Sequence, residues 1–205
     1  MRRSLLGLVT LVAAASLLLV TGCELFQQSS VLRVASINRG VALKSDIADF
    51  AVWTDPEDPE AEPQYTYAIM ADSAEIQMQY VEIGAGLPTW TPYEAIINKA
   101  EVRYKSQVDP EMVYDPAVIP MTQYVMADHT NKKITKFYAT VVPAVWKTTY
   151  FEGEVSYPPD YGTIDVVEAT VKFSGWDSVS LRTVEATGKL TIEFGNFPDG
   201  EGFGN

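Results

Sequence analysis

The clearest pattern in the chain is an alternation of apolar and polar residues near its C-terminus, in TVEATGKLTIEF. Small or apolar side chains occupy every second position: Val184, Ala186, Gly188, Leu190, Ile192 and Phe194. The positions between them are polar or charged: Thr183, Glu185, Thr187, Lys189, Thr191 and Glu193. Because successive side chains of a strand point to opposite faces, this pattern predicts a strand with one buried face and one wet face.

The segment EATVKF, residues 168–173, repeats this alternation, and Ala169, Val171 and Phe173 are predicted to point inward. Between the two segments lies SGWDSVSLR, in which Gly175 and Asp177 are typical turn formers. The two strands are therefore expected to form an antiparallel hairpin with Trp176 at its tip.

Other segments predict further strands. In AIINKAEVRY the alternation places Ile96, Ala100, Val102 and Tyr104 on one face and Ile97, Lys99, Glu101 and Arg103 on the other. In EIQMQYVEI the apolar phase changes at Val81, which predicts a bulge. The segments VLRVASI, DIADFAVW and KITKFYATVV add further strands. PAVWKTTYF is compatible with a short helical turn beginning at Pro143 or with extended chain.

These segments amount to seven or eight strands, separated by the turn-rich stretches DPEDPEAEP, GAGLPTWTP, DPEMVYDP, ADHTNKK and SYPPDYG. Short antiparallel strands joined by Pro- and Gly-rich turns, with no helical layer, are typical of an all-β sandwich. A closed barrel is the alternative. We expect a single domain over residues 31–199, followed by a mobile tail at residues 200–205.

The N-terminus has a different pattern. Arg2 and Arg3 precede an uncharged run from Ser4 to Gly22, and the only cysteine, Cys23, follows. The run is long enough to span a bilayer, but the charged start and the Leu-, Val- and Ala-rich centre favour a secretory signal over residues 1–22. An uncleaved anchor helix with an inert cysteine is the alternative.

The end of this run, Leu19-Val20-Thr21-Gly22-Cys23, resembles the lipobox of bacterial lipoproteins, although that family more often has leucine where Val20 stands. The resemblance implies cleavage between Gly22 and Cys23 and acylation of the Cys23 sulfur, which ties the chain to a membrane through a tether at residues 23–30. Glu24, in place of aspartate, favours the outer membrane. The periplasmic and extracellular faces both stay open.

Charge limits the partners. Without residues 1–22 the chain has 13 basic and 27 acidic residues. Such a surface repels phosphate, so we expect no nucleic-acid partner and no binding to anionic head groups by the domain itself.

A second resemblance concerns the strands. The succession EIQMQYVEIG, AIINKAEVRY, KFYATVV, EATVKFSGW and VEATGKLTIEFGNFPD is similar to uncharacterised bacterial lipoproteins with an immunoglobulin-like or fibronectin-type-III-like domain. In those proteins the last strand often ends as Phe194-Gly195-Asn196-Phe197 does here. The likeness covers roughly residues 74–199 and implies an immunoglobulin-like β-sandwich of seven or eight strands. It brings no catalytic motif.

Two groups of residues are weak candidates for chemistry. Asp55, Glu57 and Asp58 supply oxygen atoms suited to calcium, but prolines stiffen this segment and no EF-hand spacing is present, so a solvated acidic connection is favoured. His129 beside Asp128 has the residue types of a base and its orienting group, yet no nucleophile motif accompanies them. We expect no catalytic residue, no resident metal and no cofactor.

The aromatic residues are the better binding candidates. Trp90 and Tyr93 lie in the segment LPTWTPY between two predicted strands, and Trp176 lies in the predicted hairpin turn. In an immunoglobulin-like sandwich these two connections emerge at the same end, where exposed rings stack on sugars or anchor a protein partner. The alternative is that both tryptophans fold back as lids over the core.

We therefore expect a lipid-anchored, non-enzymatic protein that mediates binding or assembly at the outer membrane or cell surface, with recognition loops at the end far from the anchor. The partner is a protein or a glycan. One alternative is a carbohydrate-binding or glycan-acting envelope protein, whose hydrolytic form needs two carboxylates facing each other across a cleft. Another is a surface filament subunit that uses VLRVASI as an unpaired edge strand.

Overall fold

The structure is a computed structural model that describes residues 29–55, 57–58, 60–62, 64–83, 94–128 and 132–197. In this part of the chain it contains ten strands: β1 (Ser29–Ile37), β2 (Leu43–Asp46), β3 (Asp49–Trp53), β4 (Gln64–Ala68), β5 (Asp72–Ile83), β6 (Glu94–Ser106), β7 (Ala117–Asp128), β8 (Thr135–Val142), β9 (Gly162–Asp177) and β10 (Thr183–Asn196). One α-helix, α1 (Ala144–Phe151), follows β8, and short 3-10 turns lie at Asn38–Gly40 and Glu152–Glu154. The all-β class is confirmed, and PAVWKTTYF adopts the helical one of the two conformations left open, whereas β2, β4 and β7 were not predicted.

The strands are ordered β1-β5-β7-β6-β9-β10-β2, with β8 also paired to β5, while β3 and β4 form a separate two-stranded ribbon. Most pairs are antiparallel, but β5–β7 and β2–β10 are parallel, so the sheets are mixed. The β5–β7 contact consists of two residue pairs, Tyr80 with Ala127 and Val81 with Asp128. This short pairing joins β1, β5 and β8 to the remaining strands of the sheet.

The two groups of strands pack face to face around the core. The ring of Phe137 on β8 meets the ring of Phe173 on β9 edge-on, with centroids 6.3 Å apart. Val34 on β1 lies directly over Gly188 on β10, where a Cβ atom would be 2.8 Å from the Val34 Cγ1 atom. Removal of these apolar side chains from water is the main stabilising force.

The hairpin of β9 and β10 forms as predicted. Ala169, Val171 and Phe173 are fully buried. The carboxylate of Asp177 closes the turn, because its Oδ1 accepts the backbone N–H groups of Val179 and Ser180 at 3.0 and 2.6 Å. The hydroxyl of Tyr80 on β5 donates to Oδ2 at 2.7 Å. Burial raises the pKa of Asp177, but these donors outweigh burial and hold the pKa below its ordinary value.

Gly175 is not part of the turn. It lies inside β9, opposite Ile97 and Val184, and a Cβ atom at this position would collide with the carbonyl oxygen of Ile96 on β6. Glycine is required here because the two backbones approach each other closely. The prediction of Gly175 as a turn former is therefore wrong, and the turn depends on Asp177.

The predicted inward and outward sides are wrong for the first half of β6. The register of β6 shifts between Ile97 and Lys99 against both β7 and β9. An extra residue in a strand reverses the alternation beyond it. As a result, Ile97 is fully buried on the same side as Ala100 and Val102, and Ile96 points outward.

The bulge predicted at Val81 is absent. Leu32 pairs with Tyr80 and Val31 with Val81 in continuous register, and the irregularity between β1 and β5 lies instead between Val34 and Ser36. Tyr80 and Val81 are adjacent and both buried, so β5 is covered on both faces at this point. Burial on both faces, rather than a bulge, explains the change of phase.

The strand directions define two ends of the domain. Ser29 pairs with Ile83, and the end of β5 runs beside the end of β7. The end of β7 pairs with the start of β6, where Ala95 pairs with Asp177. The start of β1, the end of β5 and the β9–β10 turn therefore share one end, here called the tether end. The opposite, distal end holds the start of β5, the end of β10, helix α1 and the β3–β4 ribbon. The twelve residues of β5 connect the two ends, over roughly 35 Å.

Replacement of Gly175 by alanine is expected to lower the free energy of unfolding by about 2 kcal/mol or more, because the added methyl group has to displace the β6 backbone. Urea unfolding followed by tryptophan fluorescence measures the loss. Gly153→Ala is the matched control, since no atom lies within 4 Å of a Cβ at that position. Equal unfolding midpoints for the two variants would contradict the close approach of β9 and β6.

Candidate functional site

The structure describes one of the three predicted aromatic site residues. Trp176 lies in β9, opposite Ile96 and Thr183, on the outer face of the sheet, with 36% of its surface exposed. It is not a lid over the core, because Phe173 and Gly175 occupy the inward positions. It also lies in the strand just before the turn, not at the hairpin tip.

Trp90 and Tyr93 lie outside the described residues. The strand ends that their segment joins, Ile83 and Glu94, lie at the tether end together with the β9–β10 turn. The start of β1 lies at this same end. Trp176 therefore does not lie far from the start of the domain, which differs from the expectation of recognition residues at the end far from the anchor.

The acidic candidates belong to the connection between β3 and β4. Oδ1 of Asp55 accepts the backbone N–H of Glu57 at 2.9 Å, and Oδ1 of Asp58 accepts that of Glu60 at 3.3 Å. These are local turns of the kind that aspartate side chains commonly form. Among the described residues, no three His, Cys, Asp or Glu side chains are placed to hold a metal ion.

The remaining sequence candidates are outside the described residues or have structural partners. His129, Gly22 and Cys23 are not described. The carboxylate of Asp128 accepts the backbone N–H groups of Lys132 and Lys133, which closes the connection from β7 to β8.

The β3–β4 ribbon carries an exposed aromatic surface that the sequence analysis missed. Phe50 pairs with Tyr67 and Val52 with Tyr65, so these four side chains share one side of the ribbon, here called the aromatic face. Val52, Tyr65 and Tyr67 are 53%, 51% and 41% exposed. The alternation in DFAVW and QYTYA was the signal, but it does not say whether the apolar side is covered.

A tyrosine from another part of the chain orders this face. The ring of Tyr157 stacks on Tyr65 with centroids 4.1 Å apart and an angle of 16° between the planes. It also contacts Phe50, whose ring lies 6.1 Å from both Tyr157 and Tyr67. The rings are thereby held in place while much of their surface remains in water. Such a surface can stack on flat apolar groups or hold a cation over a ring face.

One buried lysine holds the base of the ribbon. Lys147 on α1 is 1% exposed, and its Nζ donates to the carbonyl oxygen of Asp46 at 2.6 Å and pairs with Oδ2 of Asp72 at 2.9 Å. Asp46 ends β2 just before β3, and Asp72 begins β5 just after β4. A single ammonium group therefore binds both feet of the ribbon. The hydroxyl of Ser45 donates to the same Asp72 oxygen at 2.5 Å.

Aromatic packing positions this lysine. Trp146, the neighbour of Lys147 on α1, is 6% exposed and stacks near Tyr104 and Phe194, with centroid distances of 4.1 and 5.5 Å. Its Nε1 donates to the carbonyl oxygen of Asp115 at 2.9 Å. Because the indole is locked by packing and by a hydrogen bond, α1 has one orientation, and Lys147 points at the ribbon feet.

Negative charge is concentrated around these feet. Burial raises the pKa of Asp72 and Asp46, and in both cases the nearby carboxylate of Asp49 raises it further, while Lys147 acts in the opposite direction. Of these three carboxylates, the one of Asp72 forms an ion pair with Lys147. Residues 45–72, which include the whole ribbon, contain eight acidic residues and no Lys, Arg or His.

The best-formed cavities in the described part of the chain are small. The two best-formed cavities measure about 140 and 40 Å³, and the smaller one lies at the foot of the ribbon between Asp46, Asp49, Phe50 and Tyr161. Pockets for small organic ligands usually measure about 300–1,000 Å³. The aromatic face is therefore suited to contact with the surface of a larger partner.

Comparison of the sequence with protein-family models and with curated proteins finds no match. The described residues include no helix that is both long and apolar enough to cross a bilayer. The N-terminal motif, the direction of the strands and the aromatic face are the features of the chain that bear on its function.

Replacement of Lys147 by methionine is expected to destabilise the protein more at pH 8 than at pH 4. At pH 8 the variant leaves the buried Asp72 carboxylate without its cation, at a cost of about 3–5 kcal/mol. Burial raises the pKa of Asp72 in the folded protein, and loss of Lys147 removes a cation that lowers this pKa, so the carboxyl group takes up a proton more readily as the pH falls and less charge is left unpaired. Because the pKa of Asp72 is raised in the folded state, the stability that this group contributes is present at low pH and is lost as the pH rises.

Urea unfolding of wild type and variant at both pH values measures the difference. Lys189→Met is the control, because Lys189 pairs with Glu168 on an exposed surface and is expected to change stability by at most about 0.5 kcal/mol. An equal loss for Lys147→Met at pH 4 and pH 8 would show that the lysine contributes packing and not charge.

Proposed function

We propose that this protein is a lipid-anchored, non-enzymatic envelope protein, tied to the bacterial outer membrane by an acylated Cys23, whose β-domain mediates binding or assembly. The β3–β4 ribbon is its recognition surface. The observation that carries this proposal is the placement of Ser29 and the ribbon at opposite ends of the domain. A surface at the distal end is free to meet a partner when the other end is moored.

Distances along the chain support this arrangement. Five residues separate Cys23 from Ser29, and six extended peptide steps reach at most about 20 Å. The tether end would therefore lie close to the bilayer, with Trp176 beside it. The ribbon would lie farther from the bilayer than the tether end by about the length of β5, roughly 35 Å. The recognition surface in this proposal is thus the ribbon, in place of the loops around Trp90 and Trp176.

The proposed fold of the domain is an immunoglobulin-like or fibronectin-type-III-like β-sandwich. Two features support it: the packing of β8 and β1 over β9 and β10, and the predicted hairpin at the C-terminal end. The parallel pairs β5–β7 and β2–β10 depart from the antiparallel pattern of that family.

A carbohydrate-binding role is the second candidate, because the stacked rings of Tyr65 and Tyr157 offer a surface of the kind on which sugars stack. Glycan hydrolysis finds less support, since the two best-formed cavities are small for a cleft that has to hold a sugar between two carboxylates. The filament alternative required VLRVASI to be unpaired. β1 pairs with β5 from Ser29 to Ile37, so that requirement is not met.

Replacement of Cys23 by serine is expected to abolish acylation and to release the protein from the outer-membrane lipid anchor, because only a thiol takes the diacylglyceryl group. Cell fractionation and intact-mass measurement of the purified protein test this expectation. Gln28→Ala, which leaves the motif intact, is the control and should stay membrane-bound with its acyl mass. Unchanged membrane association and mass in Cys23→Ser would contradict the proposal.

A further inference from the structure

The backbone of the ribbon indicates which kind of partner it can bind. Among the described residues, β3 and β4 pair only with each other, so each has one edge whose alternate N–H and C=O groups bind no neighbouring strand. Such edges accept an extended peptide as an added strand. The aromatic face supplies side-chain contacts next to these edges. The ribbon therefore suits an extended segment of protein chain.

The charge of the ribbon further limits the kind of partner that it can bind. Residues 45–72 form the ribbon and its feet, and residues 148–171 supply Tyr157; neither segment contains a basic residue. Lys147, the cation between the feet, is buried against Asp46 and Asp72 and does not face the solvent. Lys44, just before residues 45–72, lies over the ring of Phe197. The excess of carboxylates on the ribbon therefore favours a partner that brings positive charge.

Three other occupants are disfavoured by the same charge. A second copy of this chain carries a formal charge of −12 and would be repelled. Nucleic acids and anionic lipid head groups are repelled for the same reason. A neutral glycan would use the rings but would gain nothing from the carboxylates.

We infer that the aromatic face and the free edges of the ribbon bind an extended, lysine- or arginine-rich segment of a partner protein. Its cations lie over Tyr65 and Tyr67 and pair with the carboxylates at the foot and tip of the ribbon, among them Asp49, Glu57 and Asp58. The backbone of the segment adds to one edge. This inference rests on the proposed role of the ribbon as a recognition surface.

Fluorescence anisotropy with a labelled synthetic peptide of alternating lysine and valine tests the inference on the full chain purified in detergent. An alternating peptide presents lysine on one side when it is extended. We expect binding that weakens when salt is raised from about 0.05 to 0.5 M, because surface charge pairs are screened. A peptide of alternating glutamate and valine should not bind.

Two kinds of variant locate the site. Tyr65→Ser and Tyr67→Ser should each weaken the lysine peptide about tenfold, the change for a lost cation–π contact of about 1.4 kcal/mol. Tyr124→Ser is the matched control, because Tyr124 on β7 is 49% exposed and does not belong to the ribbon. Glu57→Gln combined with Asp58→Asn should also weaken binding. Glu111→Gln should not, because Glu111 is exposed in the connection between β6 and β7 and does not belong to the ribbon. Urea unfolding confirms that each variant remains folded.

Absence of peptide binding, or equal binding by the ribbon variants and the Tyr124 control, overturns the inference. Binding of a neutral glucan oligosaccharide that depends on Tyr65, without peptide binding, overturns the cationic partner but leaves the ribbon as a recognition surface. The lipid anchor is measured separately through Cys23. Its failure would remove the envelope role and leave the peptide result intact.

Discussion

The distal end of this protein depends on the contacts of one buried ammonium group. Lys147 binds the backbone before β3 and the carboxylate after β4, so the ribbon leaves the domain from two points held together by the same side chain. Burial of a charge is costly, and here two oxygen partners and the Ser45 hydroxyl offset that cost. As a result, the ribbon has a fixed position on the domain although β3 and β4 pair with no other described strand.

Lys147 can do this because the rest of α1 has no freedom to move. Trp146 is packed among rings of β6 and β10 and is hydrogen-bonded to Asp115, so the helix is fixed by the core of the domain. The order of dependence runs from core to helix, from helix to lysine, and from lysine to ribbon. The aromatic face is therefore ordered, with Tyr157 as a further contact, although much of it remains exposed.

The strand directions place the aromatic face at the end of the domain opposite Ser29. Antiparallel pairing of β1 with β5 places Ser29 beside the end of β5, and the ribbon precedes the start of β5. A chain moored before Ser29 would thus carry its aromatic face away from the mooring point. Acidic residues lie at the feet of the ribbon and in its β3–β4 connection, which disfavours like-charged surfaces and favours cationic ones.

The sequence by itself determined the strands whose two faces meet different surroundings, such as β9 and β10, and it carries the Cys23 motif. It predicted the wrong side for Ile97, because a bulge is set by the neighbouring strands, and it misread Val81, because burial on both faces resembles a change of phase. The ribbon was missed as a site since local alternation does not reveal whether an apolar side is covered. The tertiary structure decided that, because Lys147 meets Asp46 and Asp72 across long stretches of chain, where no local pattern connects them.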